Sequence, residues 1–290
     1  MIKTTNELAS VVEANPNNPY TEYYKYFVPL RDWTVSSPDT TAKGVLVTLT
    51  DLENDKFLFE KDPGKQLHIA SITKLMTALI VLEEYDLNEE IIVSEEAFLR
   101  NTNHFYPGET YRVKDLLYSA LVESSNAAAY ALAEKRKMFD YNKSATPFVL
   151  KMNQKAKELG MEKTYFSNPT GLDSTQSNYS TTKDLLTLTK YLMDYPIIWE
   201  ILSTKEYDLK TSDGSFKRKI TNTNELLFEE DNIVGGKTGY TVKAGRCLLS
   251  VFKKEDYYLI TIILGSNDRF GETKTLIDWI DEAYNWQTWI

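Results

Sequence analysis

Three short segments carry side chains that could do chemistry, and each sets a hydroxyl beside a nitrogen. In Ser71-Ile72-Thr73-Lys74 the hydroxyl and the ammonium stand at i and i+3, on one face of a helix. A helix N-terminus there adds orphan N–H groups and a positive dipole beside the hydroxyl. A buried lysine near another cation can lose its proton near neutral pH and become the base that activates the serine. Alone, the same four residues equally suit an N-cap serine and a lysine that snorkels to solvent.

Ser124-Ser125-Asn126 falls between two helical patterns. Ser124 could relay a proton between Lys74 and a leaving nitrogen, and Asn126 could hold a substrate amide. Helix capping is the plainer use of both residue types. Lys237-Thr238-Gly239 lies within Val234-Gly235-Gly236-Lys237-Thr238-Gly239-Tyr240, where glycines let another backbone approach a sheet edge. Gly236-Lys237-Thr238 also looks like the end of a phosphate-binding loop. That loop needs glycine where Asp231 stands and a helix after the threonine, whereas Gly239, Gly245 and nearby β-branched residues read as strand. The phosphate-loop reading fails.

The elements that must position these groups follow from hydrophobic periodicity. Gly44 to Thr50 reads as a buried strand, and Phe57 to Glu60 as its hairpin partner across Asn54-Asp55. From Ser71 to Glu84 apolar residues surround a helix on nearly every side, which places it in a core. Val113 to Val122, Ala127 to Glu134, Phe148 to Leu159 and Thr182 to Met193 read as further helices. Cys247 to Phe252 and Tyr257 to Leu264 read as strands, and Thr273 to Trp289 as an aromatic-studded closing helix that packs on the sheet. Strands at both ends with helices between predict an α+β fold in which the terminal segments share one antiparallel sheet. Residues 1–42, with their Asn15-Pro16-Asn17-Asn18-Pro19 turn cluster, read as an N-terminal extension wrapping onto a domain at 43–290.

Composition removes several function classes. The 290 residues hold 33 Lys plus Arg against 42 Asp plus Glu, a net charge of -9, which supplies no basic field for a nucleic-acid backbone. One cysteine excludes an internal disulfide and Cys-rich zinc sites, and two histidines exclude a His-rich metal site. No apolar run approaches the roughly 20 residues of a membrane-spanning helix, and Met1 to Tyr20 carries no apolar signal-like core. A Ser-His-Asp hydrolase would need a histidine base, yet His68 and His104 lack a supporting motif and read as structural or surface residues.

Ser-x-x-Lys, Ser-x-Asn and Lys-Thr-Gly, in that order, form the signature of serine acyl-enzymes acting on penicillin or on D-Ala-D-Ala peptides. The chain resembles the low-molecular-mass penicillin-binding proteins, specifically the D-alanyl-D-alanine carboxypeptidases of serine-peptidase family S11. The likeness runs over residues 43–285 and includes Ile69 to Ala78, Asp115-Leu116-Leu117-Tyr118 before Ser124, Asn168-Pro169-Thr170-Gly171-Leu172, and Gly236 to Thr241 with Ala244-Gly245. It implies a β-lactamase/D,D-peptidase-like transpeptidase fold, an antiparallel sheet flanked by helices with an all-helical subdomain. In the implied mechanism Ser71 attacks the D-Ala-D-Ala carbonyl with Lys74 as base, and Ser124 passes the proton to the departing nitrogen. Asn126 orients the substrate amide, and backbone N–H groups of Ser71 and Tyr240 form the oxyanion hole beside Gly239. Lys237 keeps the site positive, Thr238 binds the terminal carboxylate, and Arg269 matches a family arginine near that carboxylate.

The resemblance implies no metal or organic cofactor, a peptidoglycan pentapeptide as substrate, β-lactams as covalent inhibitors, and a place outside the cytoplasmic membrane. The chain departs from the family at Ile69, where proline is common, and at Thr170, where histidine is frequent. The usual C-terminal β-rich domain and amphipathic anchor have no counterpart here, which leans towards D,D-endopeptidase activity. A class A β-lactamase would share the three motifs but adds a Glu-x-x-Leu-Asn segment after the second. Glu84-Tyr85-Asp86-Leu87-Asn88 precedes Ser124 instead, so slow release of a penicilloyl adduct is expected. A non-catalytic wall-binding module is the remaining alternative.

Overall fold

The computed structural model describes residues 29–100, 105–135, 147–173, 175 and 177–285. Its elements begin with strands β1 (Leu30–Arg31), β2 (Gly44–Thr50), β3 (Asp55–Lys61) and β4 (Leu67–His68), then a 3₁₀ turn at Ala70–Ile72 and helix α1 (Thr73–Glu84). There follow β5 (Glu90–Ile92), α2 (Glu95–Leu99), β6 (Thr110–Arg112), α3 (Val113–Leu121), α4 (Asn126–Glu134) and α5 (Pro147–Glu158). Next come β7 (Tyr179–Ser180), α6 (Thr182–Leu192), α7 (Pro196–Ser203), β8 (Glu206–Lys210) and β9 (Phe216–Thr221). The last are β10 (Ile233–Thr241), β11 (Gly245–Lys254), β12 (Tyr257–Ser266), α8 (Arg269–Ala283) and β13 (Tyr284–Asn285). The chain divides into a larger unit, Thr40–Thr273, and a smaller one, Met1–Asp39 with Lys274–Ile290.

The larger unit is built on a five-stranded sheet in the order β10-β11-β12-β2-β3. Every pairing in it is antiparallel, and β2 lies against β12 with Leu46 opposite Ile262. The first long strand and the last are therefore neighbours, as expected from strands at both chain ends. Every residue of β2 is buried, so its near-continuous apolar run reflects a strand covered on both faces.

Helix α1 is the centre of the core. Thr73 through Val81 are all buried, and Leu75, Met76 and Leu79 are closed off from solvent. Full burial of such side chains contributes roughly 1.5–3 kcal/mol each, so a Leu79→Ala cavity would cost about 2–5 kcal/mol. The same cluster draws in Leu116, Leu117 and Leu121 of α3 and Ala128 and Leu132 of α4. Short ladders β5–β6 and β8–β9 accompany these helices.

In the smaller unit β1 pairs with β13, Leu30 opposite Asn285 and Arg31 opposite Tyr284. The Arg31 guanidinium lies 4.6 Å from the Trp279 ring centroid and 5.5 Å from that of Tyr284, and donates to the Val35 carbonyl at 2.7 Å. Residues 1–28 of the expected N-terminal extension lie outside the described residues.

Most boundaries differ from the sequence reading by at most two residues, and two differences bear on the site or the closing helix. The nucleophile helix does not start as an α-helix at Ser71, because a 3₁₀ turn over Ala70–Ile72 precedes α1. The closing helix runs Arg269–Ala283, not Thr273 to Trp289. Asp268 sets its start by accepting from the Gly271 N–H at 3.0 Å through Oδ1, a cap disguised in the sequence by the glycine that follows. Its end is set by Tyr284 and Asn285, which enter the β1 pairing.

Candidate active site

Ser71 is held from two sides by backbone. Ala70 adopts φ +46°, a left-handed conformation costing on the order of 1–2 kcal/mol in a residue with a side chain. Gly171, at φ +84°, packs so tightly that a Cβ there would lie 1.9 Å from the Ala70 carbonyl oxygen. On the β10 side a Cβ on Gly239 would come within 3.0 Å of both the Ser71 nitrogen and the Ile69 oxygen. The glycines of Thr170-Gly171-Leu172 and Lys237-Thr238-Gly239 are thus close-approach residues.

Lys74, one helical turn on, is fully buried. Its Nζ lies 2.9 Å from Ser71 Oγ, 2.8 Å from Asn126 Oδ1 and 2.8 Å from the Thr170 carbonyl oxygen. Desolvation, with the nearby Lys237 charge, holds its pKa well below the ordinary lysine value. A neutral amine has two N–H donors and one lone pair. Asn126 Oδ1 and the Thr170 carbonyl can only accept, so they take both N–H groups. In that neutral form the lone pair would be left for the Ser71 hydroxyl, an arrangement suited to a general base.

The loop that supplies the Thr170 carbonyl is fixed by two asparagines. Asn168 Oδ1 accepts from Thr170 N, Thr170 Oγ1 and Gly171 N at 3.1, 2.9 and 2.8 Å. Asn178 Oδ1 accepts from Ser167 N and Asn168 N, while its Nδ2 donates at 2.9 Å to both Asn168 O and Thr73 Oγ1. Thr77 Oγ1 adds a donor bond to the Pro169 carbonyl at 2.7 Å. Helix α1 and the loop are therefore tied on either side of Lys74.

In Ser124-Ser125-Asn126 the labour is split. Ser125 caps α4 by accepting from Ala128 N at 3.2 Å. Ser124 stands at φ +63°, half-buried, and its hydroxyl has no hydrogen-bond partner among the described residues. Capping therefore accounts for one serine and leaves the other hydroxyl free.

On edge strand β10, Lys237 is buried and donates to the Thr238 carbonyl at 3.0 Å. Burial, with the Arg269 charge beside it, pulls its pKa from the ordinary 10.5 down to about 7. Arg269 is half-buried and donates from Nη1 to the Gly239 carbonyl at 3.0 Å, while its buried Nε has no partner. That placement is not one of a solvent-facing surface arginine. Thr238 Oγ1 lies 2.6 Å from Thr223 Oγ1, and Tyr240 is 61% exposed beside the strand. A buried lysine of lowered pKa, two further cations and an open edge strand sit on one framework.

Some contributors were not picked out from the sequence. Asn178 and Thr223 carry no motif of their own. The Asn222-Thr223-Asn224 repeat of hydrogen-bonding residues shortly before β10 was the available signal for the second. The Thr170 carbonyl is a backbone group, invisible to side-chain patterns. Glu84, the glutamate of the lookalike β-lactamase segment, ends α1 ten residues from Lys74 and pairs with Lys151. At 1.5 Å per residue that is about 15 Å away along the helix. His68 contacts the Asn178 carbonyl through Nδ1 at 3.4 Å, and His104 lies outside the described residues. Cys247 is buried, and desolvation raises its thiol pKa to about 11.

A serine facing a buried lysine of lowered pKa, next to a cationic edge strand, is the equipment of a serine acyl-transfer enzyme. A family model described as D-alanyl-D-alanine carboxypeptidase, peptidase family S11, matches residues 32–268, and the chain belongs to that family. It is 32% identical over 247 residues to D-alanyl-D-alanine carboxypeptidase DacF of Bacillus subtilis, covering 81% of this chain and 61% of that protein's length. With a D-alanyl-D-alanine endopeptidase of Escherichia coli it shares 31% identity over 256 residues, 86% of this chain and 80% of that protein. Penicillin-binding protein D2 of Listeria monocytogenes, solved in an ampicillin-bound form, superposes with a TM-score of 0.70 at 31% identity, covering 84% of this chain and 99% of that one. The fold is that of the penicillin-binding D,D-peptidases.

Proposed function

We propose that the chain is a penicillin-sensitive serine D-alanyl-D-alanine carboxypeptidase acting on peptidoglycan stem peptides outside the cytoplasmic membrane. The observation that carries this reading is buried Lys74, its Nζ 2.9 Å from Ser71 Oγ and its pKa held well below the ordinary lysine value by desolvation and the Lys237 charge. Ser71 Oγ attacks the carbonyl of the D-Ala-D-Ala bond while its proton passes to Lys74. The C–N bond then breaks, and the Ser124 hydroxyl relays that proton to the departing D-Ala nitrogen. Water hydrolyses the resulting ester on Ser71 and releases the shortened peptide.

In this scheme Asn126 supports Lys74 and presents its amide to the substrate backbone. Lys237, Thr238 and Arg269 hold the terminal carboxylate, and the Ser71 and Tyr240 N–H groups receive the oxyanion. Such preorganised donors typically contribute the largest single share of rate enhancement. Extended substrate can add along β10, which is an edge of the sheet. No helix among the described residues is long and apolar enough to cross a membrane.

The test is intact mass against time after adding benzylpenicillin, with Ser71→Ala as control. A lasting adduct on the native protein alone is expected. Rapid turnover of the drug would make the protein a β-lactamase, and no adduct at all would leave a wall-binding module. The likeness to the E. coli endopeptidase favours a second reading, cleavage of cross-links in place of terminal D-Ala. Release of D-Ala from a pentapeptide, set beside cleavage of a cross-linked dimer, separates the two.

A further inference from the structure

Away from the Ser71 site the larger unit has a cavity of about 340 Å³, framed by the β6–α3 junction and the β8–β9 hairpin. Three cations line it, Arg112, Lys114 and Lys210, against one carboxylate, Asp115. None of its lining residues belongs to the Ser71 site.

None of the three cations forms an ion pair with another described residue. That is unusual on this surface of a chain with net charge -9. Further along the same hairpin Lys217 pairs with Glu109, Arg218 with Glu123 and Lys219 with Glu206. Arg112 makes only a long 3.5 Å bond to the Ser212 carbonyl, and Lys114 lies 5.7 Å from the Tyr118 ring centroid. The acids nearby are either committed or out of reach. Asp115 Oδ1 accepts from the Tyr207 hydroxyl at 2.7 Å, and Asp213 accepts from Thr211 Oγ1 and Ser215 N. Glu90 stands opposite Arg112 in the β5–β6 ladder without an ion pair between them.

We propose that this cavity is a second binding site, one that takes an oxyanion ligand, a carboxylate or a phosphate, on Arg112, Lys114 and Lys210. A guanidinium fork suits either group bidentately, and two ammonium groups supply the remaining charge. Asn88, Thr211 and Tyr207 add uncharged lining for the body of the ligand. Its position on the hairpin is independent of the catalytic reading.

The test is an amide chemical-shift titration of the full chain with two probes run separately, inorganic phosphate and N-acetyl-Glu-Glu. Gly214 and Thr211 report the cavity, and Gly239 and Thr241 report the cleft around Lys237. Shifts at Gly214 and Thr211 are expected, weakening with added salt. The probe that binds more tightly identifies the source of the oxyanion. The combined variant Arg112→Gln, Lys114→Gln, Lys210→Gln should weaken binding at least ~10-fold, since it withdraws every cation facing the anion. Its benzylpenicillin acylation rate should match that of the parent. Should the combined variant misfold, Lys210→Gln alone, at an exposed position, should weaken binding about 3-fold. No shift at Gly214 or Thr211 with either probe up to ~20 mM, a range that captures even weak binding, would overturn the proposal. So would shifts that persist unchanged in the variants.

Discussion

Strand β9 and the Ser71 cleft handle cations in opposite ways. On β9 Lys219 lies 3.1 Å from Glu206, with both side chains about half exposed. Water screens such a pair, and its worth is of order 0–1 kcal/mol. In the cleft Lys74 and Lys237 are buried with Arg269 nearby, and the acceptors around the lysines are amide and hydroxyl oxygens, not carboxylates. Burial then acts on the charge itself and drives the lysines towards neutrality. Partnered charge on the surface costs little and does little. Unpartnered charge in the cleft is expensive, and it is the means by which an amine becomes a base.

The contrast can be broken most severely at Lys74. Lys74→Ala should lower the acylation rate by benzylpenicillin about 10³–10⁴-fold, the upper range for a lost general base. Stopped-flow or mass-resolved acylation rates measure this directly, and an effect below ten-fold would remove Lys74 from the base role. Asn178→Ala should come next. It leaves Ser71 and Lys74 intact but releases the loop that presents the Thr170 carbonyl, and a small misplacement there costs on the order of 10²-fold. Asn178→Asp, which keeps the acceptor and loses the donor, should recover part of the rate.

Lys237 sharpens the comparison through pH. With its pKa near 7, kcat/KM for a carboxylate-bearing substrate should fall as pH rises through about 7, because the protonated form holds the carboxylate. Lys237→Arg should remove that descending limb. Stability should move the other way. The folded value lies below the unfolded 10.5, so between about 7 and 10.5 the unfolded state binds more protons and stability rises with pH. Lys237→Met should therefore stabilise the fold by about 1–4 kcal/mol at pH 6, with the gain shrinking towards pH 10 in denaturant melts. At the small end, Lys219→Ala on the hairpin should change stability by less than about 1 kcal/mol and leave acylation unaltered.

Much of the site was legible because its chemistry resides in side chains of rare combination. Ser71, Lys74, Ser124 and Asn126 stand out by type and spacing, while the parts proposed for Lys237, Thr238 and Arg269 come from the resemblance. What stayed hidden was backbone or unpatterned. The Thr170 carbonyl completes the shell around Lys74, yet no residue type announces a carbonyl. Asn178 acts through bonds to residues 167, 168 and 73, partners set by folding and not by spacing. The closing helix was displaced for a related reason: Asp268 caps it through a glycine that reads as a breaker.

By itself the sequence determined most elements around α1, though not α7 or the β8–β9 hairpin, the order of three motifs and the types of group available for acyl transfer. It did so because apolar periodicity and side-chain chemistry are local properties. Tertiary structure alone decided which of those groups are desolvated and what they face. Lys74 is a candidate base because folding buries it among two obligate acceptors, one hydroxyl and a second cation. Lys219 keeps an ordinary ion pair because folding leaves it in water. Solvation and proximity are properties of the assembled molecule, and they separate one lysine from the other.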